Sequence, residues 1–206
     1  LFISFEGIDG CGKSTQIAIF EAMLKDKGIS PVITLEPGGT RIGEAIRKIL
    51  LDVNNTQLTP FTELFLYEAD RAQHVSEVIK PALEAGKWVI CDRYYDATTV
   101  YQGLVLQGYE GLIEQLNLEA CSHITPEVTF LLDCPAEIGL RRIEGRRRDE
   151  REEDRFDRKT LDFHTRIRYG YLALASKHRE RFTIIDSTLG KEQVAIKIRE
   201  AILPYL

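Results

Sequence analysis

The apolar residues change period several times along the chain, and each change marks an element. Phe2 to Glu6 is a short β-prone run, and from Thr15 the spacing turns helical, with Ile17, Phe20 and Leu24 on one face before Gly28 closes the helix. Pro31 to Leu35 reads as a second strand, Glu36-Pro37-Gly38-Gly39-Thr40 as a loop, and Ile42, Ile46, Ile49 and Leu50 as the buried stripe of a second helix. A long helical region follows Pro60. Trp88 to Cys91 forms a short buried strand, two helical stretches fill the space between Tyr94 and Ile124, and Val128 to Asp133 and Phe182 to Asp186 supply two more strands.

Five short apolar strands alternating with amphipathic helices predict an α/β fold, a five-stranded parallel sheet with helices on both faces in three layers. The chain has 206 residues, with no internal repeat and no linker, so residues 1–206 are expected to form a single domain. In such sheets ligands collect beyond the carboxyl ends of the strands. The residues just after each strand are therefore where chemistry is expected.

Composition narrows the picture. Hydrophobic residues make up 44% and charged residues 29%, near the averages for globular proteins, and no apolar run approaches a membrane span. No signal-peptide pattern precedes the first strand, which begins at Leu1 without a start residue, and a cytoplasmic protein is the expectation. The four cysteines, Cys11, Cys91, Cys121 and Cys134, lack the spacing of a zinc site or a disulfide framework, so reduced thiols are expected. A net charge of −5 disfavours a nucleic-acid track. A small anionic ligand needs only a local patch, and Arg141 to Lys159 offers one, with nine basic against seven acidic residues where the rest of the chain has 18 against 25. A solvated helix face laced with salt bridges gives the same pattern.

The strongest local signal is Gly7-Ile8-Asp9-Gly10-Cys11-Gly12-Lys13-Ser14, which satisfies G-x-x-x-x-G-K-[ST] between a predicted strand and a predicted helix. Chance matches occur on the order of once per hundred chains of this length, before that context is required. Glycines let backbone N–H groups curl around phosphates, and the helix start adds its positive dipole end. Lys13 can reach the β- and γ-phosphates of a nucleoside triphosphate, and Ser14 offers its hydroxyl to Mg²⁺. Thr15 closes the triphosphate-contacting stretch as a helix-start residue packing locally. The base-reading N-K-x-D segment of GTPase switches does not occur. Instead Asp92 ends the Trp88 to Cys91 strand, placed to hold a magnesium-bound water, and Arg93 follows, able to bridge donor and acceptor phosphates. A surface Asp–Arg ion pair is the alternative for that dipeptide. Tyr67 precedes Arg71 by one helical turn, so an aromatic ring and a guanidinium share one face, as a nucleobase requires. A core aromatic beside a surface arginine is the bland reading of the same spacing.

Phe5-Glu6-Gly7, Glu36-Pro37-Gly38-Gly39-Thr40, Ala69-Asp70-Arg71, Asp92-Arg93-Tyr94, Tyr101-Gln102-Gly103 and Asp154-Arg155-Phe156-Asp157, in this order on one P-loop chain, resemble the bacterial thymidylate kinases from end to end. The resemblance implies transfer of the γ-phosphoryl of ATP to thymidine monophosphate with magnesium, giving dTDP and ADP. It implies that Tyr67 stacks on thymine and Arg71 hydrogen-bonds its carbonyl. Arg47 and Arg93 bind the acceptor phosphate, Asp9 contacts the sugar 3′-hydroxyl region, and Glu36 and Pro37 shape the acceptor loop. Thr98, Tyr101 and Gln102 line the acceptor pocket, with Tyr101 crowding the sugar 2′ position. Ala97 stands where bacterial relatives often carry serine.

The same resemblance makes the segment at about 141–158 a short arginine-rich lid over ATP, with Arg146, Arg147, Arg148, Arg151 and Arg155 as candidates. Gly10 is not basic, so the chain resembles the form that supplies its cation from the lid, and Arg148 and Arg155 join Lys13, Arg93 and Asp9 as expected catalytic residues. A homodimer built through helices is implied as well. Two other readings stay open at this point, another nucleoside-monophosphate kinase and a nucleotide-binding regulator without catalysis.

Overall fold

The computed structural model describes residues 1–147, 155–156 and 159–206, with the side chains of Arg146 and Arg147 left aside. Its sheet runs in the order β2-β3-β1-β4-β5. The strands are β1 (Phe2–Glu6), β2 (Val32–Leu35), β3 (Val89–Asp92), β4 (Val128–Asp133) and β5 (Phe182–Asp186), and every pairing is parallel. The connecting helices are α1 (Lys13–Asp26), α2 (Arg41–Leu51), α3 (Pro60–His74), α4 (Lys80–Glu84), α5 (Tyr95–Val105), α6 (Glu110–Ala120), α7 (Ala136–Arg147), α8 (Leu161–Lys177) and α9 (Lys191–Ile202).

Every residue of β1 is buried, as a central parallel strand requires. The period of two sends Ile3 and Phe5 to one face and Phe2, Ser4 and Glu6 to the other. Phe5 meets Phe20 of α1 at a ring-centroid distance of 6.0 Å, and α9 packs against α1 on that side. On the opposite face Phe2 meets Tyr94, just before α5, at 4.9 Å, and Glu6 takes the hydroxyl of Tyr171 from α8. Coverage thins at the two edge strands, where Ile33 of β2 and Ile184 of β5 are 37% and 50% exposed. Strand order reverses at β1, so the crevice beyond the carboxyl ends of β1, β3 and β4 is the place for a ligand.

The helical region after Pro60 runs through α3, a π-helical turn at Val75–Ile79 and α4 with helical dihedrals at both junctions. The wide turn falls just ahead of Pro81, which has no N–H to return to the preceding turn.

Helix α2 corrects one expectation. Of its predicted buried stripe only Leu50 is buried, while Ile42 and Ile49 are exposed and Ile46 is half-buried. The buried side carries Gly43 instead, because α2 and α3 approach so closely that a Cβ there would lie 2.3 Å from Asp70 Oδ1. A helical period identifies a stripe without saying what it faces. All four cysteines are buried and free, as the sequence predicts. No described helix is long and apolar enough to cross a membrane.

Candidate active site

From β1 the chain enters a loop in which Gly7, Gly10 and Gly12 take φ values of 134°, 77° and 104°, a region that side-chain-bearing residues avoid. Thr40, Thr59 and Thr160 cap α2, α3 and α8 with their hydroxyls, whereas α1 starts after Gly12 with no side-chain cap. Free N–H groups at that helix start remain for an anion. Lys13 Nζ lies back across the loop, donating to the carbonyls of Gly7 at 3.1 Å and Ile8 at 3.2 Å. The side chains of Ile8 and Cys11 turn into the core. Thr15 does not pack locally: it is exposed and lines a cleft of about 860 Å³ over the loop with Asp9, Gly10, Lys13 and Ser14.

Ser14 Oγ and Asp92 Oδ2 stand 3.4 Å apart on the wall of that cleft. Two hard oxygen donors beside open space fit magnesium, which keeps several waters and takes further ligands from phosphates.

Gly10 carries a second constraint. Helix α7 crosses the loop at Gly139, and a Cβ on Gly10 would lie 2.1 Å from the Gly139 carbonyl oxygen. Position 10 therefore has no room for a basic side chain. Arg142 ties the crossing, donating to the carbonyls of Gly10 at 3.4 Å and Ser187 at 3.0 Å.

A second cleft of about 630 Å³ adjoins the first. All ten residues expected around the acceptor line it, namely Asp9, Glu36, Pro37, Arg47, Tyr67, Arg71, Arg93, Thr98, Tyr101 and Gln102, together with Ala97 and Phe156. Asp9, Glu36, Arg47 and Arg93 belong to both clefts. Arg47 lies on α2 and donates to the Pro37 carbonyl at 2.6 Å, while Asp70 accepts the Gly38 N–H at 3.0 Å, which fixes the loop after the cis Glu36–Pro37 bond.

Arg71 is 1% exposed, so it is no surface arginine. Its guanidinium donates to Glu36 at 2.9 Å, to Glu68 at 2.8 Å, and to Asn117 and Thr98 at 2.9 Å each. The other Glu36 oxygen meets His74 Nδ1 at 2.9 Å. A buried charge held this way is fixed in direction as well as compensated. Gln102 Nε2 donates to Glu63 of α3 at 2.8 Å.

Arg93 is not part of a surface Asp–Arg pair either. It has φ 69°, and its backbone N–H donates to Phe5 of β1 at 3.0 Å. Its guanidinium donates to Asp9 at 2.8 Å and to the Tyr171 hydroxyl at 3.0 Å, and lies 5.2 Å over the Tyr101 ring. Burial alone would raise the Asp9 carboxyl, but Arg93 and Lys13 outweigh it and hold it well below the usual carboxylate range. Behind this pair Tyr171 donates to Glu6 Oε2 at 2.8 Å, and Glu6 Oε1 accepts the Tyr94 N–H at 2.7 Å. Glu6 is fully buried, and burial together with Asp96 pushes its carboxyl from 4.5 up to about 8.

Several expected lid residues, Arg148, Arg151, Asp154 and Asp157 with the side chains of Arg146 and Arg147, lie outside the described residues. Arg155 pairs with Glu63, and its backbone N–H and Nε each reach a carbonyl at the end of α2, Leu51 and Leu50, at 3.1 Å. These are terminal carbonyls that a helix leaves without donors. The guanidinium lies 5.2 Å over the Phe156 ring, which packs edge-on against Tyr101 at 5.7 Å. Arg155 thus stands behind the acceptor cleft, which Leu51 and Phe156 line, and itself lines neither cleft.

Sequence reasoning missed Glu63 and Tyr171, and it named Glu6 without a role. Glu6 had a signal in the Phe5-Glu6-Gly7 run. Tyr171 had none, since it meets Glu6 across 165 residues.

The thymidylate kinase family model matches residues 5–198. The thymidylate kinase of Trichlorobacter lovleyi is 49% identical over 208 residues, covering 100% of this chain and 98% of its own length. That of Geobacter sulfurreducens is 48% identical, covering 98% of this chain and 96% of its own, and that of Desulfovibrio desulfuricans is 47% identical, covering 100% and 96%. A parallel sheet with a phosphate loop at its switch point, an adjoining arginine-lined cleft and likeness over the whole length lead to one conclusion: the chain belongs to the thymidylate kinase family of phosphotransferases.

Proposed function

We propose that the chain transfers the γ-phosphoryl group of ATP to the 5′-phosphate of thymidine monophosphate, giving dTDP and ADP for dTTP synthesis. The observation that carries this reading is the pair of adjoining clefts that share Asp9, Glu36, Arg47 and Arg93. Two polyanions must approach in line, and Arg47 and Arg93 at the shared wall supply cations for it.

In this reading the uncapped start of α1 and Lys13 hold the triphosphate. Ser14 and Asp92 would hold magnesium, which when bound would neutralise phosphate charge. Arg47 and Arg93 clamp the acceptor phosphate, and Arg93 also faces the group in transit. Asp9 holds Arg93 and takes the sugar 3′-hydroxyl region. Tyr67 stacks on the base, the buried Arg71 donates to its carbonyl, Gln102 and Thr98 complete the edge, and Tyr101 crowds the 2′ position. Glu36 and Pro37 shape the loop against the acceptor. Arg148 and Arg155 belong to the lid, with Arg155 serving the acceptor side through its tie to Glu63.

A homodimer is the assembly we propose. Its support is the stripe on α2 of exposed Ile42 and Ile49 with half-buried Ile46 between them, and the exposed Phe65 on the neighbouring α3. The four free thiols suit a reducing compartment such as the cytoplasm. The activity is tested by ADP release from ATP with a panel of nucleoside monophosphates. Thymidine monophosphate is expected to be turned over far better than the guanosine, cytidine or adenosine monophosphates, and preference for one of those would overturn the base assignment.

A further inference from the structure

Arg93 borders both clefts, and its direction is set from behind by residues outside either cleft. Asp9 takes one guanidinium nitrogen at 2.8 Å, and the other donates to the Tyr171 hydroxyl at 3.0 Å. Neither Tyr171 nor Glu6 lines the acceptor cleft or the phosphate cleft. Tyr171 is 1% exposed and Glu6 0%. We infer that Tyr171 and Glu6 form a buried pair of positioning residues that aims the Arg93 guanidinium between the two clefts, and that the hydroxyl of Tyr171 acts on the reaction only through Arg93.

The chemistry supports a directional role. Arg93 leaves β3 with a positive φ that few non-glycine residues adopt, and a side chain this long, held by its backbone alone, keeps many rotamers. A guanidinium has donors only, and a phenol oxygen has two lone pairs and one proton. Tyr171 gives its proton toward Glu6 Oε2 at 2.8 Å and accepts from Arg93. If Glu6 carries the proton instead, the phenol oxygen still keeps a lone pair for Arg93, so the hold survives either protonation state.

Glu6 is fixed in turn by the Tyr94 N–H at 2.7 Å, in the same Asp92-Arg93-Tyr94 strand end, so both ends of the Arg93 residue are anchored to the one carboxyl. The Tyr171 ring also packs against the Tyr101 ring at 6.3 Å, over which the Arg93 guanidinium lies.

The inference rests on the proposed role of Arg93, and a double-mutant cycle separates the two. Tyr171→Phe removes the hydroxyl and keeps the ring. In the full chain, with thymidine monophosphate and ATP, it is expected to lower kcat by about tenfold or more while the KM for ATP stays within about twofold. In the Arg93→Ala background the same change is expected to have little further effect on kcat. An equal loss in both backgrounds would show that the hydroxyl acts through general stability, and would overturn the inference. An unchanged kcat in Tyr171→Phe alone would do the same. If Arg93→Ala itself leaves kcat unaltered, the reading of Arg93 fails, and the positioning role falls with it. Should Tyr171→Phe not fold, Glu6→Leu, which takes away the carboxyl that fixes the phenol, is measured in the same two backgrounds and is expected to show the same coupling; its absence would overturn the inference.

Discussion

Glu6 sits at the end of a buried strand, where water cannot solvate its charge, and burial with the nearby Asp96 raises its carboxyl from 4.5 to about 8. The folded protein therefore binds this proton more tightly than the unfolded chain does. The associated stability is fully present below pH 4.5 and is lost as pH rises through about 8. Glu6→Gln removes the titration and keeps the shape. Thermal unfolding across pH is expected to show the variant gaining on the natural protein between those two values, by an amount on the order of a few kcal/mol. A constant difference between the two proteins across that range would contradict the shifted carboxyl. Arg71 shows the opposite solution to burial, with four acceptors around one guanidinium. The site thus keeps one acid whose charge is costly and one base whose charge is fully compensated.

Among the elements, α1 and α2 show how the same helix-start physics is put to different ends. Thr40 accepts the Gly43 N–H at 2.9 Å and closes the first turn of α2, whereas the start of α1 is left to the phosphate loop. The far side of α2 carries the stripe at Ile42, Ile46 and Ile49, which are neighbours on one face of a helix. Two isoleucines in water with a third half-buried between them are costly for an isolated chain and favourable in an interface. Light scattering is expected to report a dimer for the natural sequence and a shift to monomer for Ile46→Glu, with the unfolding midpoint changed little. A monomer in the natural sequence, or a dimer unaffected by the charge, would show that the stripe is not the contact.

For the molecule as a whole, the sequence carries the fold almost completely because the signals are local. The strands read as short apolar runs, and the observed β3 differs from the predicted Trp88 to Cys91 by one residue at each end. The phosphate loop is contiguous, so a motif captures it. The acceptor cleft gathers residues from the phosphate loop, the Glu36 loop, α2, α3, the end of β3 and α5, and only the order of several short motifs points to it. Tyr171 and Glu63 escaped because their partners lie 165 and 39 residues away and nothing beside them in the chain is distinctive. The facing of α2 escaped for a related reason: amphipathicity names a stripe, and only packing names its partner.

The central claim is that one phosphoryl group crosses the wall shared by the two clefts. The most direct measurement is ³¹P NMR of the protein with ATP, magnesium and thymidine monophosphate, following all phosphorus signals together. The β-phosphorus of thymidine diphosphate is expected to grow in step with ADP as the thymidine monophosphate signal falls, with no inorganic phosphate released. Loss of ATP to ADP and inorganic phosphate, or no change while both nucleotides are bound, would contradict it.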